Sequence, residues 1–300
     1  MYVDSKMTIK PACSIANLPR VSLFSAIALA PAVSEAQGVS LSTGLVDFNS
    51  WFLYGSASVH NQTPGNGFVY SDLVLTQGTG GGAGAGFAPD PLFMNFNQSF
   101  SFDFHFFIPV GNGLRGDGLT FTLSATPGVG GGGSDLGYGG LSPDSIAFAI
   151  DTFNFSEEAS SPSLQILQRG SSDPLAVTET GLGDAIRDPD FQWLARVLYT
   201  PSGNEDEKGT LEGTIEHLNL GTFSVSALVD LNTFAEPIDG GHLVFFGFTA
   251  SNGAATDGHF VTSAEPAPVP VPATFWLLGS ALGGLGVLRR RLSRAALLTV

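Results

Sequence analysis

The chain predicts an all-β protein: an antiparallel sandwich over about residues 38–265, with an apolar helix near the C-terminus. Three observations point there. Short runs in which large apolar residues alternate with small or polar ones recur from Leu45 onward, the period-two pattern of half-buried strands. The 300 residues include 39 Gly and 24 Phe and are 43% hydrophobic, which favours short strands and tight turns over helix. No long amphipathic helical pattern interrupts residues 38–265. A chain of this length buries one sizeable core.

Residues 1–36 read as a secretory signal peptide. Lys6, Lys10 and Arg20 form a basic start, with Met7 as an alternative first residue. Val21–Val33 is the apolar stretch, and Ser34–Ala36 offers small residues at the cleavage positions. The competing reading is a buried N-terminal helix. Cys13 is the single cysteine, so no disulfide framework forms within one chain. It precedes the apolar stretch, which argues against a lipoprotein cleavage site.

Within the domain, Leu45–Val59 supplies strand-like apolar residues around Trp51, and Thr63–Gly67 is turn chemistry. Phe68–Gly78 is a strand. The glycine run Gly78–Gly86 reads as a loop, followed by Gly86–Met94. Phe100–Pro109 alternates as a half-buried strand. Gly116–Ser124 puts Leu119, Phe121 and Leu123 on one face, and Thr120 and Thr122 on the other. Gly128–Gly140 is a flexible glycine loop. Ser145–Phe155 is a strand that delivers Asp151, Phe153 and Asn154 to its far end. Ser161–Gly170 is a short strand, and Ser171–Asp190 is polar and turn-rich. Phe191–Leu218 forms a hairpin around the acidic turn Ser202–Gly209. Phe223–Leu231 and His242–Gly253 are core strands, and Gly258–Pro266 is a candidate for one more.

Residues 266–300 change character. A proline-rich spacer leads into Ala273–Leu288, an apolar helix of 16 residues, and then into Arg289–Arg294. That helix is shorter than the ~20 residues of a full membrane span. The arginines would lie on the cytoplasmic side. The segment reads as a sorting signal or anchor that meets the membrane at least transiently.

Formal net charge is −15. Between Gln37 and Pro272 only Arg115, Arg169, Arg187, Arg196 and Lys208 are basic, against 25 acidic residues. Such a surface repels nucleic acid and anionic lipid, and it suits calcium or neutral sugars. The glycine loop is no nucleotide cradle, because neither a lysine nor a helix start follows it. His60, His105, His217, His242 and His259 show no paired metal spacing and read as ordinary surface or sheet residues. A retaining glycosidase needs two carboxylates about 5–5.5 Å apart. On one strand face the relevant register reads Ala149, Asp151, Phe153, which lacks the pair. Nucleophile-elbow and zinc-protease motifs are absent as well. The chain reads as a non-enzyme. Taken alone, Asp117 reads as a turn cap, Asp151 as a solvated strand-end carboxylate and the glycine loop as a connector.

From about Leu45 to Ser263 the chain resembles the bacterial legume-lectin (L-type lectin) family. The matching stretches are WFLYGSAS (51–58), LVLTQG (73–78), FSFDF (100–104), GDGLTFTL (116–123), DLGYGG (135–140), IAFAIDTF (146–153), VDLNTF (229–234) and FFGFTASNG (245–253). Residues 269–291, VPVPATFWLLGSALGGLGVLRRR, are similar to a PEP-CTERM sorting signal of the VPxPA variant. That signal implies an exosortase-type processing partner and the surface of a Gram-negative bacterium. The lectin resemblance implies a jelly-roll, concanavalin-like sandwich with sugar-binding loops at one edge over calcium and a transition metal. Carried over, Asp117 accepts hydrogen bonds from sugar hydroxyls and follows a cis Gly116–Asp117 bond. Gly133 or Ser134 supplies a backbone N–H. Phe153 stacks on the sugar ring while its carbonyl meets calcium, and Asn154 joins the site. Asp151 is the metal carboxylate, with Glu157 or Glu158 completing a calcium set of Asp151, Phe153, Asn154 and glutamate. Three positions depart from the family: Ala149 stands for a glutamate, Ser163 stands where a histidine is expected, and Asn154 lies three residues after Asp151 where the family's asparagine lies four after, in the place of Phe155. The transition-metal site is therefore expected to be lost. The implied function is a secreted or surface glycan-binding protein, with the holding of extracellular polysaccharide as one role. The alternative is a structural matrix protein that kept the fold without the sugar site.

Overall fold

The computed structural model describes residues 47–62, 70–156, 158–187, 192–203, 208–231, 234 and 240–266. The expected signal peptide, the expected C-terminal apolar helix, residues 267–300 as a whole and Glu157 lie outside the described residues. No helix among the described residues is long and apolar enough to cross a membrane.

Fifteen strands form among the described residues, in chain order: β1 (Phe52–Gly55), β2 (Ser58–Gln62), β3 (Tyr70–Thr76), β4 (Gly82–Phe87), β5 (Leu92–Met94), β6 (Phe100–Phe107), β7 (Gly118–Ser124), β8 (Ser145–Asp151), β9 (Ser163–Gln168), β10 (Ala176–Glu179), β11 (Trp193–Pro201), β12 (Lys208–His217), β13 (Gly221–Asp230), β14 (His242–Asn252) and β15 (His259–Pro266). Eight of them make one sheet in the order β1-β4-β14-β7-β8-β9-β10, with β5 pairing the start of β14. The other seven run β13-β12-β11-β6-β15-β3-β2. Every pairing is antiparallel. The expected all-β sandwich is the architecture observed.

Alternation explains which sheet face is buried. On β6, Phe100, Phe102, Phe104 and Phe106 all point into the core. They meet rings from the opposite sheet: Phe102 stands 5.0 Å from Phe121, and Phe104 stands 5.0 Å from Phe248, centroid to centroid. Burying a phenylalanine stabilises the fold by about 1.5–3 kcal/mol, so this aromatic layer is the main adhesive between the sheets. Phe148 of β8 crosses the gap onto Gly213 of β12. A Cβ on Gly213 would lie 2.0 Å from that ring. Gly213→Ala should therefore overpack the core and cost about 1–3 kcal/mol, measured as a lower urea midpoint with an unchanged slope.

Several elements differ from the expectation. The glycine run is not all loop, because Gly82–Phe87 is β4, flanked by β1 and β14. Its glycines let the two sheets close up: a Cβ on Gly84 would lie 2.0 Å from Leu75 O, and one on Gly86 would lie 2.7 Å from the Leu73 side chain. Leu45–Val59 holds two strands, β1 and β2, in different sheets. Ser171–Asp190 contains β10 and a 3-10 turn, Gly183–Arg187. Gly258–Pro266 is β15, seated between β6 and β3. His217, His242 and His259 are buried at strand ends.

The glycine loop after β7 is folded, not a loose connector. Gly130 N–H donates to Gly137 O, Gly131 N–H to Gly139 O and Gly137 N–H to Gly131 O. Leu136 and Tyr138 are buried against Ala147, Ala149 and Leu167, on the face of the larger sheet that points away from the main core. Thr249 Oγ1 donates to Leu136 O at 2.7 Å, and the Tyr138 hydroxyl accepts from Gly170 N–H at 3.1 Å. The loop thus covers the polar row Thr120, Thr122 and Thr249, whose hydroxyls hydrogen-bond one another.

Candidate functional site

In the larger sheet, antiparallel neighbours bring alternate strand ends to one edge. Gly118 at the start of β7 is paired with Asp151 at the end of β8 and with Ser251 near the end of β14. Asp151 is in turn paired with Ser163, the first residue of β9. Asp117 lies one residue outside β7 and is tied down on both sides. Its N–H donates to Ser251 O at 3.0 Å, and its carbonyl accepts from Thr152 N–H at 2.8 Å. The two expected acidic residues therefore share one edge.

Asp117 is only 4% exposed. Its carboxylate lies against Gly253, which also neighbours Gly133: a Cβ on Gly253 would stand 3.1 Å from Asp117 Oδ2 and 3.4 Å from Gly133 Cα. Oδ2 is buried with no hydrogen-bond partner in the protein. Burial pushes the carboxyl up to about 6, opposed by the Gly253 N–H and reinforced by the charges of Glu158 and Asp257. Native proteins seldom leave a buried acceptor without a donor unless something outside the chain supplies one.

Gly133 and Ser134 open a 3-10 turn, Gly133–Asp135, whose first N–H groups have no partner inside the turn. Ser251 Oγ donates to Gly133 O at 2.5 Å and holds this turn over the end of β14. The structure thus brings Asp117 and Gly133 together, with Ser134 beside them in the same turn.

The site is different from expectation in three ways. The Gly116–Asp117 bond is trans, and Ser161–Pro162 is the cis bond among the described residues. Trans is the cheaper form for any non-proline bond by about 3–4 kcal/mol, and the two backbone hydrogen bonds of Asp117 are satisfied in it. Phe153 is half-buried, while Phe155 is the ring presented to solvent, 65% exposed. Asn154 is exposed and lies 3.5 Å from Ser161 Oγ, not against Asp117.

Of the expected metal set, Glu157 lies outside the described residues. Asp151 is buried, and both its oxygens have neutral donors: Phe153 N–H at 3.0 Å and Gln165 Nε2 at 2.7 Å. Gln165 Nε2 also reaches Ser163 Oγ at 3.1 Å. Glu158 turns back to accept from Phe155 N–H at 2.5 Å. Burial pushes Asp151 up to about 7; the Phe153 N–H and Gln165 amide oppose this, and the charges of Glu158 and Asp117 add to it. No group of three or more His, Cys, Asp or Glu able to hold a metal forms among the described residues. Among the described residues, the expected ligands Asp151 and Glu158 thus each accept from the protein's own donors. Ala149 and Ser163 are both fully buried.

Sequence reading missed a second layer below the site. Asp257 is fully buried and accepts from Arg187 Nε at 2.8 Å, Gly111 N–H at 2.9 Å and Gly116 N–H at 3.2 Å. Asn252 brackets the Asp257 backbone, accepting its N–H at 3.1 Å and donating to its carbonyl at 3.0 Å. Arg115 reaches Thr152 O, Ser161 O and Asp184. The uneven placement of basic residues was the available signal: two of the five in the domain act here.

No family model matches the chain. Among solved structures, a lectin from Bauhinia forficata in complex with GalNAc superposes with a TM-score of 0.56 at 20% identity, over 73% of this chain and 92% of that one. Arcelin-5, a lectin-like defense protein from Phaseolus vulgaris, gives 0.54 at 20% identity over 72% and 90%. The exoplasmic/lumenal domain of VIP36, in a Ca2+- and Man3GlcNAc-bound form, gives 0.50 at 17% identity over 75% and 86%. The chain therefore has the legume-lectin type of sandwich.

Proposed function

We propose that the domain binds carbohydrate at the edge formed by Asp117, Gly133, Ser134 and Gly253. The observation that carries this is the buried, unpartnered Oδ2 of Asp117. A sugar presents adjacent hydroxyl donors of the kind this acceptor lacks, and a charged acceptor makes strong bonds to them. Phe155 is the exposed ring on the loop beside it and suits the apolar face of a pyranose. Support also comes from the sugars named in the complexes of structurally similar lectins, GalNAc and Man3GlcNAc. The role is one of binding rather than catalysis. On this reading the domain works outside the cytoplasm of a Gram-negative bacterium, exported by residues 1–36. Residues 266–300 then direct it through an exosortase-type protease to the cell surface, where it holds extracellular polysaccharide.

A second reading rests on Asp151. Its carboxylate is fully engaged by Phe153 and Gln165, as in a loop kept for architecture. On that reading the protein is a structural matrix component that shares only the sandwich.

A glycan array probed with wild type and Asp117→Asn separates the two. Asparagine keeps the shape but removes the charge and places a donor or a neutral acceptor at Oδ2. The expected array signal falls by about tenfold to a hundredfold, the loss of one or two charge-assisted hydrogen bonds. Equal signals from both proteins would move the site elsewhere. A folded wild type with no signal on any glycan would favour the structural reading.

A further inference from the structure

We propose that Arg115 is the positioning residue for the 152–161 loop, joining its two ends to the 3-10 turn Gly183–Arg187, so that the loop keeps its course without calcium. This rests on the carbohydrate reading only for its ligand; the clamp itself stands on the contacts of one side chain.

The loop carries Phe153, Asn154 and Phe155 and connects β8 to β9. Its two ends are adjacent in the sheet, so the strands fix the root but not the course of the chain between them. One guanidinium spans that course. Arg115 Nε donates to Thr152 O at 3.1 Å and Nη2 donates to Ser161 O at 3.2 Å. Nη1 pairs with Asp184 Oδ1 at 2.9 Å on the 3-10 turn Gly183–Arg187. Asp184 also lies 3.7 Å from Arg187 Nη1, which fixes its carboxylate between two cations. The Arg115 side chain is 24% exposed and its two carbonyl bonds are partly buried, whereas Asp184 is 79% exposed.

Backbone carbonyls that converge on one positive centre are the ligands a hard cation uses. Here the planar fork of arginine takes them, with its donors at fixed angles. At the loop root the carboxylate of Asp151 accepts from the Phe153 N–H and the Gln165 amide. Arg115 also sits two residues before Asp117, and Thr152 N–H donates to Asp117 O. One short segment therefore supplies both the acceptor for the ligand and the brace for the neighbouring loop. Lysine cannot replace it, because a single ammonium lacks the fork that spans two carbonyls and a carboxylate.

The test uses the full chain as wild type, Arg115→Gln and Arg115→Lys, each with calcium chloride and with EDTA. Hydrogen exchange is read over 152–161 and over the core strands, alongside the glycan array. In the wild type, loop exchange and melting temperature should be the same with calcium and with EDTA. Arg115→Gln should speed exchange in 152–161 by about tenfold or more while β7 and β14 stay protected, as for a local opening. Arg115→Lys should behave nearly as Arg115→Gln. A wild-type loop protected only when calcium is present would overturn the proposal. So would an unchanged loop in Arg115→Gln, or full protection in Arg115→Lys, which would mean that a charge alone suffices. The exchange and calcium arms need no sugar. A silent array beside an Arg115-dependent, calcium-indifferent loop would therefore sink the carbohydrate reading and leave the clamp standing.

Discussion

Replacing Arg187 by methionine should destabilise the fold by about 3–5 kcal/mol, the cost of leaving a buried charge without its partner. The methionine keeps most of the apolar stem but removes the donor to Asp257 Oδ2 at 2.8 Å and the bond to Gly113 O at 3.1 Å. Asp257 then keeps two backbone donors, Gly111 and Gly116 N–H, for a fully buried carboxylate. The damage should reach the site, since Gly116 precedes Asp117. Urea unfolding of wild type, Arg187→Met, Asp257→Leu and the double variant gives the coupling. The double variant should recover part of the loss, because an apolar pair avoids the stranded charge. Recovery should be incomplete, because Gly111 and Gly116 N–H lose their acceptor. A loss below about 1 kcal/mol for Arg187→Met would show that Asp257 is neutral in the fold and that the pair is not an ion pair.

Asp151→Asn should make the protein more stable at pH 8 and leave it unchanged at pH 4. Burial holds the Asp151 carboxyl near 7, above its ordinary 3.8. Between about pH 4 and 7 the folded chain keeps a proton that the unfolded chain has lost. Stability from this group therefore falls as pH rises through that window and levels off above it. A tenfold change in acidity between the folded and unfolded chain corresponds to about 1.4 kcal/mol, so the effect is a few kcal/mol in all. Asparagine carries no such cost. Its Oδ1 still accepts from Phe153 N–H, and Gln165 can turn its amide to face the new NH2 group. Asp117, held near 6, works in the same direction from pH 4 to 6. His259 works against both: burial and the charge of Arg187 hold it near 3, so the unfolded chain takes up a proton below 6.5 and acid destabilises the fold. The wild-type curve is flattened by these opposing groups. The difference between variant and wild type isolates Asp151, and thermal unfolding across pH 4–8 measures it. A difference that does not vary with pH would mean that Asp151 is ionised throughout.

Much of the framework could be read from local pattern. β6 and the hairpin β11–β12 show alternating burial, and alternation is visible in the chain itself. Asp117 and Asp151 were also legible, because each stands at the end of an apolar run. β4 was not, for a physical reason. Gly84 and Gly86 stand where side chains would have marked a strand. Leu73 and Leu75 approach from the other sheet and leave no room for them. The glycine loop read as flexible because its anchors lie far away in sequence: Thr249 for Leu136, and Gly170 for Tyr138.

The sequence by itself determined the fold class and the edge that carries the acidic pair. The tertiary structure alone decided how that edge is held. Arg115 meets Thr152 and Ser161, Arg187 meets Asp257, and Gln165 meets Asp151. Burial periodicity is a property of neighbouring residues along a strand, so the chain displays it directly. The partner of a buried charge is set by which loops the sheets bring together in space, and nothing local in an arginine or a glutamine records that.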